Sequence, residues 1–289
     1  MAFALAALLA GGACRAPSPA VARLDARPAH LRLGFGEAAE VELAFEPLAA
    51  LPRDARGPTV FLHLLDESGL VVRTFDHPLP GDWRPGEEIR YRVRIHQSAL
   101  ADPLEPGIYT LAAGLYDRDD GRYALETLGG EVAREEYRVA IVEVPALVTA
   151  MPHARFSEGW RPTEAGIDRQ VVARRKLGGA GPGSIQFGPL DGPGKILVGI
   201  VVPASGGSQR VELQPDAGMA KLQIASSCGG EIEVTGPGAH DLEIDVPAGA
   251  PATCSLEVRA NFLVRSGESA EATSARLELL AWMRTPGGA

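Results

Sequence analysis

Only three cysteines, six histidines and three tryptophans occur in the 289 residues, and that scarcity limits the available chemistry. Neither Cys228 nor Cys254 has a second Cys or His at ligand spacing, so no zinc site of that type is expected. His63 and His77 would come close if their strands pair, with Asp66 or Asp76 as an oxygen ligand, but they read as a core histidine and a turn histidine. No run approaches the roughly 20 apolar residues that a membrane-spanning helix needs. Basic clusters are absent too: 28 Lys and Arg stand against 37 Asp and Glu, a formal net charge of −9. Nucleic acid is therefore not an expected partner, and no polybasic stretch is present to grip anionic head groups.

Catalytic and cofactor motifs are equally sparse. No Gly-x-Ser-x-Gly elbow occurs, and Ser205-Gly206-Gly207-Ser208 reads as a turn. Gly178–Gly183 is glycine-rich but lacks the strand-then-helix setting of a phosphate loop, so it reads as a flexible connection. Asp117-Arg118-Asp119-Asp120-Gly121 opens like a calcium loop, yet Thr127-Leu128-Gly129 stands where a closing glutamate belongs, and an Asp/Gly hairpin turn explains it as well. No pair of carboxylates stands out from ordinary surface acids. No cofactor, metal or catalytic residue is assigned.

What is present begins at the N-terminus. An apolar run, Met1 to Ala13, ends in the small residues Ala10-Gly11-Gly12-Ala13 and is followed by Cys14. This is the pattern of a bacterial lipoprotein signal, with cleavage before Cys14 and a lipid on its thiol. The h-region is short, no Lys or Arg precedes it, and Gly11 replaces the usual leucine, so ordinary secretion and a cytosolic chain with an apolar terminus stay open. If Cys14 carries lipid, Cys228 and Cys254 remain as a pair, and in an oxidising compartment they are expected to form a disulfide. Two buried free thiols are the alternative. A diacylglycerol plus an amide-linked acyl group would hold the chain stably to a membrane.

The body of the chain reads as all-β, with two tandem β-sandwich domains. Residues 1–13 are expected to be signal, 14–27 a Pro/Ala/Arg-rich tether, 28–145 an immunoglobulin-like sandwich and 146–289 a jelly-roll-like one. In the first, Glu40–Glu46 alternates strictly, placing Val41, Leu43 and Phe45 on one face. Thr59–Leu65 is a nearly continuous apolar run, Asp66–Gly69 a turn and Leu70–Phe75 its return. Ile89, Tyr91, Val93 and Ile95 alternate with three arginines, as a strand with one wet face does. Ile108–Tyr116 and Tyr137–Val144 follow, with Tyr109 placed to tie down a loop through its hydroxyl and Trp83 to plug one end. The second unit has strand candidates at Gln170–Ala173, Ser184–Phe187, Lys195–Val202, Gln209–Gln214, Lys221–Ala225, Glu231–Val234, Asp241–Val246, Cys254–Val264 and Ala275–Met283.

Val60-Phe61-Leu62-His63-Leu64-Leu65-Asp66, Trp83-Arg84-Pro85-Gly86-Glu87, Pro106-Gly107-Ile108-Tyr109-Thr110-Leu111 and Gly114-Leu115-Tyr116-Asp117 fall in order. This set resembles the immunoglobulin-like β-sandwich module appended to bacterial integral-membrane glycosyltransferases of the mannosyltransferase-like type, a module also found in uncharacterised envelope proteins. The resemblance implies a fold and not a transferase, because in those enzymes the membrane helices carry the active site. The opening of the second unit, Gly159-Trp160-Arg161-Pro162-Thr163-Glu164, is similar to jelly-roll modules beside glycan-processing enzymes. Asp168-Arg169-Gln170 keeps the arginine that follows there and lacks its tryptophan.

The functional expectation is a non-catalytic, lipid-anchored envelope protein that binds a glycan or an envelope protein partner. For a sugar, Trp160, Glu164 and Arg169 are the candidate contacts: an aromatic face with polar groups beside it. Two alternatives differ in signature. An accessory subunit of an envelope assembly or glycan-processing machine calls for an apolar patch or an open sheet edge. A secreted hydrolase calls for a cleft with two close carboxylates of perturbed pKa.

Overall fold

The computed structural model describes residues 18–51, 58–117, 121–157, 159–166, 168–179, 182–204, 209–214, 218–266 and 272–285. Cys14 and the expected signal, Asp119 and Asp120, and Ser205–Ser208 lie outside the described residues. Among those described, the secondary structure is strand, without helix.

The first unit contains β1 (Ala22–Arg27), β2 (His30–Arg32), β3 (Ala38–Pro47), β4 (Thr59–Leu65), β5 (Val71–Thr74) and β6 (His77–Pro78). It continues with β7 (Ile89–His96), β8 (Gly107–Asp117), β9 (Gly121–Tyr123), β10 (Leu125–Thr127), β11 (Glu131–Ala133) and β12 (Glu136–Val144). One sheet runs β10-β1-β3-β7 and the other β11-β12-β8-β4-β5, with β2 parallel to β12. Three main strands (β1, β3, β7) thus face four (β12, β8, β4, β5), the immunoglobulin-like division. Val41, Leu43 and Phe45 of β3 are wholly buried and meet Val60, Leu62 and Leu64 of β4 in one core. The Tyr109 hydroxyl donates to the Glu105 carbonyl at 2.8 Å, tying the turn into β8 to the strand it launches. Trp83 packs against the core and donates its indole N–H to the Ala49 carbonyl.

One boundary needs correction. Residues 22–27, assigned to a tether, form β1, because Ala22 and Leu24 alternate with Arg23 and Asp25 and are buried. The Pro/Ala/Arg composition around them hid a period of two.

The second unit contains β13 (His153–Phe156), β14 (Glu164–Ala165), β15 (Ala173–Gly178), β16 (Gly183–Gly188), β17 (Gly194–Val202) and β18 (Gln209–Leu213). Then come β19 (Lys221–Ser226), β20 (Glu231–Thr235), β21 (Gly238–Val246), β22 (Cys254–Ala260), β23 (Phe262–Ser266) and β24 (Thr273–Arg284). The sheets run β13-β16-β22-β19-β20 and β14-β15-β24-β17-β21. Counting the eight main strands in chain order from β15, and omitting β18 and β23, which lie off the main path of their sheet, one sheet is 1-8-3-6 and the other 2-7-4-5. That interleaving is a jelly roll.

Two strands depart from their expected bounds for local reasons. The expected strand at Gln170–Ala173 begins only at Ala173, because the Asp168 carboxylate accepts from the amides of Gln170 and Val171 at 2.8 Å each and bends the chain. The run Cys254–Val264 is broken at Asn261. There the side-chain oxygen accepts from Lys221 N and the amide nitrogen donates to Met219 O, so β22 stays in one sheet while β23 moves to the other. Cys228 and Cys254 form a disulfide across 26 positions, joining the β19–β20 turn to the start of β22.

Candidate functional site

The two sandwiches meet through the segment that enters β3 and the one that leaves β7. Trp282 N donates to Gly36 O at 2.7 Å and Ala99 N to Leu280 O at 2.8 Å, while Ser98 Oγ accepts from Leu280 N. These contacts fall on the part of β24 beyond its pairing with β15, which ends at Leu277. The first sandwich therefore completes a row of backbone groups that the second leaves open. Leu100, just after β7, is buried in the core of the second sandwich. Gly36 has φ +69°, and a Cβ there would lie 2.4 Å from Pro152 O, so this approach needs glycine. Across the same junction Arg94 of β7 pairs with Glu243 of β21, which also binds Lys195 of β17. Hydrogen bonding from Lys195 first, then from Arg94, holds the Glu243 carboxyl below its ordinary pKa against the cost of desolvation.

This docking leaves two clefts. The larger, about 920 Å³, lies between the Asp66–Ser68 turn, the segment from Leu100 to Tyr109, and residues 163–165 with Val172 and Ala173. The second, about 720 Å³, is walled by Phe75–Pro78 and by Tyr91–Arg94 of β7. Its floor is the outer face of the jelly roll, at Leu197–Val201 of β17, Ala239–Leu242 of β21 and Leu279 of β24. Both volumes fall within the roughly 300–1,000 Å³ of ligand sites, and domain junctions are a common place for them. In β17, Ile196, Val198, Ile200 and Val202 belong to the core, so the intervening Leu197, Gly199 and Val201 face the second cleft. Leu197 is nonetheless only 3% exposed. The unbroken run without a charged residue at 196–202 carries this signal, since a strand buried on both faces loses its alternation.

The three residues expected to hold a sugar do not converge. Trp160 is 7% exposed and sits in the jelly-roll core, edge-on to Phe156 at 5.6 Å and bridged to Leu177. Its ring has no face left for a ligand, which corrects the aromatic-platform expectation: the aromatic is spent on packing. Glu164 lines the larger cleft, but Lys176 Nζ at 2.9 Å and Arg174 Nε at 3.2 Å hold its carboxylate. The hydrogen bond from Lys176 is the chief reason its pKa is lowered. Arg169 leaves its side chain in solvent and uses its carbonyl to accept from Thr74 N across the junction.

His63 and His77 also part. His77 bonds the Phe75 carbonyl and the Tyr91 hydroxyl, each at 2.8 Å. His63 points to the outer face of β4, between Glu136 Oε1 at 3.0 Å and Asp76 Oδ1 at 3.5 Å. Arg122 binds the other oxygen of Glu136 at 3.1 Å and stacks over Phe61, 4.5 Å from its centroid. Gly114 makes room for that ring, since a Cβ would lie 2.2 Å from Phe61 Cζ. Burial opposes a charge on His63, but hydrogen bonds and attraction from Asp76 and Glu136 outweigh it and raise the pKa to about 9. The array Asp76–His63–Glu136–Arg122 binds the β9–β11 excursion to the sheet. Among the described residues no cluster of three or more His, Cys, Asp or Glu is arranged to hold a metal ion.

No protein-family model and no curated protein matches this chain. Among solved structures it is similar to the secreted serine protease VesC from Vibrio cholerae, with 8% identity, TM-score 0.29, and coverage of 91% of this chain and 52% of that one. A Salmonella alpha-2-macroglobulin mutant shows 10% identity and TM-score 0.23, covering 93% of this chain and 15% of that one. The chain thus spans about half the length of the first structure. At such TM-scores neither likeness bears on function.

Proposed function

We propose that this is a non-catalytic binding protein of the bacterial cell envelope, anchored by lipid at Cys14, and that it engages a protein partner at the junction of its two sandwiches. The observation that carries the reading is the junction itself. Two sandwiches are locked by backbone hydrogen bonds and by Leu100, and between them lies a cleft whose floor offers the half-buried Val201 and Leu279. Protein surfaces of this kind, apolar at the centre and polar at the rim, are where partners bind.

Two further observations weigh against the competing classes. The burial of Trp160 removes the aromatic platform on which a sugar would stack. Among the described residues every carboxylate with a displaced pKa moves downward: Asp66 by Ser68, Glu136 by His63, Glu164 by Lys176 and Glu243 by Lys195. A hydrolase acid needs the opposite displacement. The Cys228–Cys254 disulfide is compatible with an extracytoplasmic location.

Two measurements test the proposal. Intact mass of membrane-extracted protein is expected to show a chain beginning at Cys14 with added acyl mass, and an unprocessed chain would overturn the anchor. A photo-crosslinking residue at Tyr91 is expected to give a discrete protein adduct in intact cells, whereas one at exposed Glu233 of β20 is not. Equal labelling from both positions would overturn the junction as the binding surface.

A further inference from the structure

Resting on that partner-binding reading, we infer that the second cleft takes an extended peptide segment of the partner as an added β-strand along β7, a segment with alternating apolar residues and a basic residue opposite Asp241. The backbone supplies the first reason. Strand β7 ends its sheet, paired to β3 on one side, and among the described residues no backbone hydrogen bond is made along its other edge. The cleft takes in four consecutive residues there, Tyr91, Arg92, Val93 and Arg94. Consecutive strand residues point to opposite faces, so a cleft touched by all four runs along the edge and meets its free N–H and C=O groups. A strand lying there at the usual spacing of about 4.8 Å would satisfy them.

The floor supplies side-chain selection. One face of an added strand would rest on Val201 and Leu279, which are half-buried and line the cleft. Gly199 keeps that floor flat between them: a Cβ there would lie 2.8 Å from the Leu279 Cβ. An occupant with apolar residues at every second position meets this surface, and its intervening residues point away.

Charge fixes the remaining feature. The lining holds four carboxylates, Glu40, Asp76, Asp241 and Glu278, against Arg92 and Arg94. Both arginines are already engaged by Glu40, and Arg94 also by Glu243. Asp76 is engaged by His63 and Glu278 by Arg276. The Asp241 carboxylate alone of the four makes no ion pair or side-chain hydrogen bond among the described residues, and the residue is exposed on the edge strand β21. A lysine or arginine in the added strand complements it.

The test uses the full chain and a displayed library of random octapeptides. The best binder is resynthesised in two forms, N-methylated at odd or at even amides, and its affinity is measured by fluorescence anisotropy against wild-type chain and Asp241→Lys. Strand addition is expected to lose at least tenfold in affinity for one methylation phase and less than twofold for the other, because only alternate amides face β7. Asp241→Lys, a surface change that leaves the core intact, is expected to weaken binding at least fivefold. Binders indifferent to methylation phase, or to Asp241→Lys, would overturn this inference and leave partner binding elsewhere on the chain standing. No peptide binder from the library, together with saturable binding on a glycan array, would overturn both this inference and the protein-partner reading.

Discussion

Replacing His63 by glutamine removes the cation at the centre of the Asp76–His63–Glu136 array, and its effect should depend on pH in a defined direction. The ring lies 3.0 Å from a Glu136 oxygen and 3.5 Å from an Asp76 oxygen, with its own side chain 13% exposed. Burial disfavours the charge, yet the two carboxylates lift the pKa from 6.5 to about 9. A folded pKa above the unfolded one gives stabilisation present in full below pH 6.5, falling between 6.5 and about 9 and absent above. Full conversion of that displacement gives about 3 kcal/mol. Solvent reaches the Asp76 end, where the side chain is 31% exposed, so screening reduces the expected contribution to about 1–2 kcal/mol. Glu136 supplies the acid limb: its pKa is held down by His63 first, so its share is present above its ordinary value of 4.5 and is lost as pH falls below it. The groups facing His63 are Asp76 between β5 and β6, Glu136 of β12 and the ring of Phe61, with Arg122 beyond Glu136. Urea unfolding of wild type and His63→Gln at pH 6 and pH 9.5 is the assay, and tyrosines and lysines common to both cancel in the difference. The stability gap is expected to shrink by about 1–2 kcal/mol at the higher pH. A gap of the same size at both pH values would refute a charged His63, as would an NMR titration showing a neutral ring at pH 8.

Leu100→Ala is expected to cost about 2–5 kcal/mol, the range for emptying a leucine site in a packed core, with the loss appearing in the unfolding of the second sandwich although the residue follows β7 of the first; no effect on that transition would dissociate the two units. Replacing both Cys228 and Cys254 by serine is expected to lower stability by about 3.5 kcal/mol, from closing a loop of 26 positions in the chain-entropy model, read as a drop in urea midpoint that matches the reduced wild type. His96, edge-on to Phe75 and pushed down to about pKa 4 by burial and then by the Arg73 charge, costs stability as pH falls from 6.5 toward 4, because the unfolded chain takes up the proton first. His96→Gln should flatten that acid limb, and an unchanged slope would count against a neutral, half-buried ring.

Much of the fold is legible where one face is wet. In β3 the alternation of Val41, Leu43 and Phe45 with Glu40, Glu42, Ala44 and Glu46 names the strand and its buried side, and the run Thr59–Leu65 coincides with β4. Tyr109 could be placed because a tyrosine at the start of a late strand, after Pro-Gly, has a short path to the upstream carbonyl of Glu105. Legibility fails where local polar groups override the pattern. Asp168 captures two amides and delays β15, whose Arg174-Arg175-Lys176 run conceals a strand, and Asn261 turns one apolar stretch into two strands in different sheets. At β1 the alternation was present in only two buried residues, too few to stand out from a proline-rich context.

The junction was harder to read because it is made of groups that look ordinary one at a time. The Gly-Trp-x-Pro-x-Glu motif marks Trp160 as a ligand contact, yet its large apolar ring finds more area to bury inside the jelly roll than at its surface. The surfaces that do face the clefts come from stretches distant in sequence: Tyr91 and Arg94 from β7, Leu197 from β17, Asp241 from β21 and Leu279 from β24. Their common property is two-sidedness. Strand β17 is buried against its own core on one face and against the neighbouring sandwich on the other, and β7 is paired on one edge and open on the other. A single-strand pattern records the first burial and says nothing of the second. The length of the uninterrupted run without a charged residue at 196–202 is the one trace of it, since a jelly roll standing alone would leave Leu197 and Val201 in water and would favour polar residues there. Leucine at 197 is thus evidence, within the sequence, that something covers that face, and the first sandwich covers it only in part: Leu197 is 3% exposed, while Val201 and Leu279 are half-buried. The remaining apolar surface beside an unpaired strand edge is what a further strand would bury.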